Sequence, residues 1–445
     1  MSITITFPKF EPTFNKIIDK IDILHITLLN AILRFFVMCF PSDGGMIFDE
    51  VHYIKAIRAI LEGIPANGEH PPLTKLIVGA FIKIFGDFWF SWRLPIVLFA
   101  IFIPYLVYKI SLKFNDDKNL AKFAATFSCL DILLFIHGNI YMLEIPALVM
   151  SLLFCLLYLE HRNIPAAIAI SIGFLCNEKA LWVLLGVAVY HIMTHADSLK
   201  KLDRFVPDAK QTAIFLAACC LFGGGGLWLN DLVWRPSSQT NSNIGVVATV
   251  YQSNGTAVTT SLSTITTTDY VYINDPISHV WFMVTYFSGI QGGIPQNSDW
   301  RPPWSWIGPF GPNWNNPPTY FATSISYGEK INTIINYRAQ TTFPIWWMFI
   351  PLVLYSVIKY KDTMSKFILG LLSGTYLPWF IWELQKQNMP FNHYMLFATP
   401  VLCIAIPIFW YKVAPKYYNQ ILAAQILIAV VFFFYYFPVG LFRTF

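Results

Sequence analysis

Long apolar runs joined by short polar stretches dominate the chain. They fall at about 21–40, 93–112, 120–137, 141–159, 164–176, 178–194, 211–229, 343–359, 365–382, 393–411 and 419–440. A helix that crosses a bilayer needs roughly 20 mostly apolar residues, so the pattern predicts about eleven spans. The fifth and sixth are short and parted only by Asn177; tilting or local thinning accommodates such a pair. Two segments break the pattern. Val51, Ile54, Ile57 and Ile60 recur along an amphipathic stretch that also carries Lys55, Arg58 and Glu62, and Gly63 and Pro65 end it. Residues 73–86 are apolar but too short for a span and carry Lys75 and Lys83. Both predict helices lying on the membrane within an outer loop, 41–92.

Composition agrees. Of 445 residues 56% are hydrophobic and 12% charged, with a mean hydropathy of +0.52; a soluble domain carries about 25% charged residues. The fold class expected is an all-α polytopic membrane protein. The net charge of +5 therefore sets topology rather than pointing to nucleic acid. Basic residues gather in one set of joints: Lys9, Lys16 and Lys20; Lys113 and Lys118; Arg162; Lys200, Lys201, Arg204 and Lys210; Lys359, Lys361 and Lys366; Lys412 and Lys416. That side, with the N-terminus, is expected to be cytoplasmic. The organisation expected is a cytoplasmic 1–20, a transmembrane module 21–229 with its outer loop 41–92, an outer loop 230–342, and C-terminal spans 343–445. The start of the chain has no short basic, cleavable leader pattern. Within 230–342, residues 236–268 are rich in Ser, Thr and Asn and read as flexible or weakly β. The Trp- and Pro-dense 281–318 reads as an ordered cover or as the wall of an acceptor groove. The seven cysteines lie in or near apolar runs without ligand spacing, and no metal site or disulfide framework is expected.

Some polar groups have no place in this scheme. Asp49 and Glu50 are adjacent after the apolar Gly45–Phe48. A helix start explains such acids by itself; as catalysts, they would point about 100° apart and take different partners. His52 and Tyr53 fall on the helical face of Asp49. Glu69-His70-Pro71-Pro72 precedes the second surface helix. Proline there is ordinary helix-start chemistry, while Glu69 and His70 stand where a helix N-terminus would favour a phosphate. Arg93, Lys179 and Arg338 lie at outer span ends, against the positive-inside bias, so an anionic partner such as a lipid phosphate is expected. Glu144 lies at an outer span end too.

The stretches IFDEVHYIKAI and GEHPPLTKLIVGAF resemble the first luminal loop of the protein O-mannosyltransferases. WRLP, YMLEIPALVM, the lysine of NEKALW and FNHYMLFATP resemble further blocks of that family. The sequence departs from it in carrying Glu144 where an Asp is usual, Gly138-Asn139-Ile140 where an Arg is expected, and a single His393 before Tyr394. The 230–342 loop is too short for the family's three-repeat β-trefoil, which points to a prokaryote-type member in a plasma membrane rather than the ER. An acid–x–Pro–Pro element, with Lys in place of His70, also occurs in the related aminoarabinose transferases.

The resemblance implies a GT-C glycosyltransferase fold with about eleven transmembrane helices. It implies mannose transfer from a dolichyl-phosphate-type donor to Ser or Thr hydroxyls of a protein, with inversion, on the non-cytoplasmic face. Asp49 would be the base and Glu50 its support. Arg93, Lys179, His70 and Arg338 would bind the donor phosphate, with Glu69, His52, Glu144, His393 and Tyr394 supporting. No cofactor is expected, although Asp49, Glu50 and His70 have donors suited to a divalent metal. The other readings are a transferase with a lipid or glycan acceptor, and a lipid-sugar transporter, which would show a repeat that the sequence lacks. The oligomeric state is left open.

Overall fold

The computed structural model describes residues 18–39, 46–196, 202–234, 237–251, 257–272, 276–289, 303, 337, 339, 341–384 and 392–439. Helix α1 (Ile23–Met38) is followed by the two short helices of the outer loop, α2 (Glu50–Leu61) and α3 (Leu73–Phe85). Helices α4 (Trp89–Ala100) and α5 (Ile103–Ser111) form one apolar rod of 23 residues, with Pro95 inside it and Pro104 at its second segment's start. Then come α6 (Lys118–Leu130) and α7 (Ile132–His137), with the Asp131 side chain capping the start of α7. Next are α8 (Glu144–Leu159), α9 (Asn163–Cys176) and α10 (Ala180–His195). Helices α11 (Leu202–Cys219) and α12 (Gly225–Trp234) are joined by a π turn, Cys220–Gly224. That irregularity falls in the Gly223–Gly226 run, where helix propensity is lowest.

The segment after α12 then forms an antiparallel ribbon, β1 (Ser237–Tyr251) and β2 (Ala257–Tyr272), with a bulge between Val246 and Val247. The all-α class holds, with one ribbon added where the sequence reads as weakly β. Its Thr, Val and Ile content suits extended backbone. Helix α13 (Pro276–Gly289) follows, then α14 (Phe343–Trp346), α15 (Phe349–Ile358), α16 (Thr363–Thr375) and α17 (Leu377–Leu384). A 3-10 turn, Asn392–Phe397, leads into α18 (Thr399–Val413), and α19 (Tyr418–Tyr436) closes the described chain. The Trp- and Pro-rich stretch beyond residue 289 lies outside the described residues apart from position 303.

Among the described residues three helices are long and apolar enough to cross a membrane: Trp89–Ser111, Ala209–Val233 and Tyr418–Tyr436. Six shorter apolar helices, Ile23–Met38, Glu144–Leu159, Asn163–Cys176, Ala180–His195, Phe343–Ile358 and Thr399–Val413, stand where the hydrophobic pattern places spans. The centre is α8, whose side chains are almost all buried. Helix α10 approaches α16 very closely: a Cβ at Gly374 would collide with the Trp182 carbonyl and the Gly186 backbone. The outward faces of α1, α15 and α19 keep Leu24, Leu28, Leu354, Leu427 and Val431 exposed, as lipid-facing surfaces do.

Candidate active site

The start of α2 is a tight turn. Phe48 sits in the left-handed region (φ 53°) just before Asp49, a strained conformation for a bulky residue. The ring edge of Phe48 packs on His393 at 5.5 Å. This turn sends the two acids apart. Glu50 is fully buried and receives a bidentate pair from Arg93, Nε to Oε1 and Nη2 to Oε2, both 2.8 Å. The backbone N–H groups of Ile47 (2.8 Å) and Tyr141 (2.7 Å) also donate to it. Arg93 is 1% exposed and lies over the Tyr337 ring at 5.6 Å. This pair fastens α2, α4 and the approach to α8 together, so Arg93 holds Glu50 with two nitrogens of its fork. Arg338 lies outside the described residues.

Asp49 faces the other way and is half-buried. The Tyr53 hydroxyl lies 3.5 Å from Oδ2, at the limit of a hydrogen bond. Burial pushes the Asp49 carboxyl up to about 6; nearby Glu144 adds to the rise, and His70 and Lys179 oppose it. Across from it the Lys179 ammonium donates to Glu144 Oε1 (2.7 Å), lies 3.8 Å from Glu178 Oε1 and sits 4.7 Å over the Tyr394 ring. Two carboxylates, Glu144 and Glu178, thus face the buried Lys179 ammonium. His70 Nδ1 is 3.2 Å from Glu178 Oε2, and its ring meets Tyr53 edge-on at 5.7 Å. His393 Nε2 lies 3.9 Å from Glu144 Oε1. The other Glu144 oxygen, Oε2, is buried without a hydrogen-bond partner.

Asp49, His70, Glu144, Lys179, His393 and Tyr394 therefore come together from five separate parts of the chain. His52 does not join them, because its side chain is exposed on α2. Glu69 stays on the rim, where Asn67 Nδ2 donates to it at 2.6 Å. Lys75, which the sequence analysis left on a surface helix, is buried. It donates to the carbonyls of Asn67 and His70 (2.8 Å to the latter) and so fixes the loop that carries His70. Glu178 is the residue the sequence reading missed; its position beside Lys179, in the joint between two spans, was the available signal.

Two further supports enter from a distance. Arg34, a lone cation in α1, donates to Phe135 O (3.0 Å) and Asn30 Oδ1 (3.1 Å). Its guanidinium fills the space into which any side chain at Gly138 would grow. The arginine expected beside Gly138 is absent from the sequence, and a cation arrives there from another helix. Second, His279 of α13 bridges Asp231 of α12 (Nδ1, 2.9 Å to Oδ2) and the Gly68 carbonyl (Nε2, 2.8 Å). The outer loop is thereby tied to the turn just before His70. Asp49, Glu50 and His70 do not converge as ligands, since Glu50 is turned into its ion pair. Among the described residues no group of three acids, histidines or cysteines is placed to hold a metal ion.

Residues 69–223 match the family model described as dolichyl-phosphate-mannose-protein mannosyltransferase. The match takes in His70, Arg93, Glu144, Glu178 and Lys179, and it stops short of Asp49 and His393. The structure is similar to that of the Saccharomyces cerevisiae protein O-mannosyltransferase Pmt1-Pmt2 complex bound to the sugar donor. The TM-score is 0.63 at 10% identity, covering 95% of this chain and 89% of that one. The chain thus has a GT-C fold. ArnT from Cupriavidus metallidurans, bound to undecaprenyl phosphate, gives a TM-score of 0.48 at 11% identity, over 92% of this chain and 69% of that one. No curated protein sequence matches the chain. In this GT-C protein the matched segment supplies the cations and the paired acids of the cluster. Asp49 comes from the unmatched stretch before it.

Proposed function

We propose that the protein transfers mannose from a polyprenyl-phosphate-linked donor to Ser or Thr hydroxyls of proteins on the non-cytoplasmic face, with inversion. One observation carries this reading: a half-buried carboxylate, Asp49, raised to about 6, shares its site with a buried lysine and a buried histidine, Lys179 and His70, that act on its charge. An alcohol is a weak nucleophile, and a base poised near the working pH activates it best. In this mechanism Asp49 accepts the hydroxyl proton as the acceptor oxygen bonds to the anomeric carbon. The carbon–oxygen bond to the phosphate breaks on the opposite face, and its electron pair leaves with the phosphate. The sugar passes through an oxocarbenium-like state, as in glycoside hydrolysis. The phosphate leaves as an anion, so it needs cations rather than a proton. Lys179 and His70 are nearest to Asp49 and take this role first. Arg93, engaged by Glu50, acts behind them, and Arg338 remains a candidate of the sequence. Glu144 steers Lys179 and offers its unpartnered oxygen to a sugar hydroxyl.

The lipid-linked donor is a substrate, and the reaction so written calls for no cofactor. The solved Pmt1-Pmt2 structure is described as bound to the sugar donor, which supports a glycosyl donor here. Incubating the purified protein with radiolabelled polyprenyl-phosphate mannose and three acceptors (a Ser/Thr-rich protein, lipid, and water) tests the proposal. Label should enter protein through an alkali-labile bond with inverted configuration. Label entering lipid alone would replace the protein acceptor, and no transfer with intact donor binding would overturn the reading.

A further inference from the structure

A cavity of about 800 Å³ lies away from the site. Helix α8 carries Glu144 at its start and Tyr158 near its end; α10 begins after Lys179 and ends at His195. At about 1.5 Å per residue, the Tyr158 and His195 end of the cavity is roughly 21–24 Å from Glu144 and Lys179, at the other end of the same two helices. Its volume is that of a small-molecule site, about 300–1,000 Å³.

Its walls change polarity together. Down α8 the lining passes from Phe154 to Tyr158. Down α10 it passes from Leu184 to His191 and His195. Helix α11 runs the other way and gives Gln211 first, then Phe215. Three helices thus place their polar residues at one end and their apolar residues at the other. The polar end is built rather than loose. The Tyr158 hydroxyl and His191 Nδ1 are 2.6 Å apart, the His191 and His195 rings stack at 4.2 Å, and Asn163 donates to Gln211 at 2.8 Å. Lys113 also lines this end and pairs with Glu160 at 2.8 Å. Lys109 and Arg162 act on the same carboxylate, so one acid meets three cations and the rim keeps a positive excess.

An apolar shaft under a cationic polar end has the shape and charge of an amphiphile with an anionic head. We propose that this cavity binds a single anionic phospholipid, its phosphate among Lys113, His191 and His195 and its hydrocarbon chain along Phe154, Leu184 and Phe215. The site stands independently of the transfer reaction, since none of these residues reaches the cleft. A bulk bilayer lipid filling a gap would be indifferent to head group, and a free phosphate would have no use for the shaft.

Native mass spectrometry of the delipidated full chain tests this, with phosphatidylglycerol, phosphatidylcholine of the same acyl chains, and inorganic phosphate as probes. One phosphatidylglycerol per chain should be retained at concentrations at least tenfold below phosphatidylcholine. His191→Ala with His195→Ala should erase the preference. Lys113→Gln, a rim substitution that leaves the helices intact, should weaken it should the double variant fail to fold. Ala188→Trp, on the cavity wall, should reduce retention of both lipids. Equal retention of the two lipids, a preference that survives these variants, or phosphate retained as well as phosphatidylglycerol would each overturn the proposal.

Discussion

Asp49 and Glu50 are neighbours in sequence with opposite surroundings. Glu50 takes four donors, sits at 0% exposure and pairs face to face with Arg93. Asp49 is half-buried, has one long contact with Tyr53 and looks onto groups whose own bonding is incomplete, including Glu144 Oε2 and Glu178 Oε1. A buried charge with every lone pair answered is a structural joint. A carboxylate left under-bonded and raised toward neutrality is where chemistry can be done. The contrast divides the acidic pair into a joint and a reacting group, and each variant below tests that division.

The largest effect should come from Asp49→Asn. Loss of a general base costs about 10²–10⁴ in rate, so turnover should fall by that range while donor binding persists; unchanged turnover would end the role of Asp49. The pH dependence has a definite sign. Asp49 acts as a base only when ionised, so kcat/KM should rise with pH through about 6, and this limb should vanish in the variant. Its raised carboxyl pKa also means that the folded protein prefers the protonated form. That contribution to stability is present below the ordinary carboxylate range and lost as pH rises through about 6. At neutral pH Asp49→Asn should therefore melt no lower than the parent.

Glu50→Gln should do the reverse. It leaves Arg93 buried and uncompensated, which costs about 3–5 kcal/mol of stability. Melting temperature should drop sharply, and Glu50→Gln combined with Arg93→Met should recover much of it. A stable Glu50→Gln protein with no activity would break the comparison, because Glu50 would then be the reacting acid.

Lys179→Met probes the far wall of the cleft. Removing one preorganised group that meets developing charge costs about 10²–10³ in kcat. Here the loss should be paired with weaker donor binding, read by donor KM in the transfer assay. Arg93→Met should cost stability more than donor KM; a selective loss of donor KM there would return Arg93 to the front of the phosphate set.

Much of this was legible beforehand. Apolar runs mark the spans because a bilayer leaves the backbone no other partner than its own helix. Asp49, His70, Glu144 and Lys179 stood out as polar groups that the membrane did not need, and His393 came only through the resemblance. Partnership was harder to read. The Arg93–Glu50 pair joins residues 43 apart and Lys179–Glu144 residues 35 apart, and nothing local encodes those meetings. Lys75 read only as a charge on a membrane-surface helix, because helical periodicity cannot tell which face another loop covers. Arg34 was visible as a lone charge in an apolar helix, a pattern that marks a specific partner. Its target, the turn at Gly138, belongs to packing alone.

The smallest effect should come from outside both regions. His279 holds Asp231 with one nitrogen and the Gly68 carbonyl with the other. Residues 67–70 are thus held by Lys75 from below and His279 from above, while Asp49 depends on His70 staying in place. His279→Ala removes one of the two restraints. A hydrogen bond is worth about 1 kcal/mol net, so transfer should fall only a few-fold, through kcat/KM. Amide exchange at 67–70 should quicken, with exchange in α8 unchanged. His279→Gln keeps a donor able to reach Gly68 and should restore most of the loss. If exchange at 67–70 stays slow in His279→Ala, the outer loop merely covers the cleft, and the restraint on His70 comes from Lys75 alone.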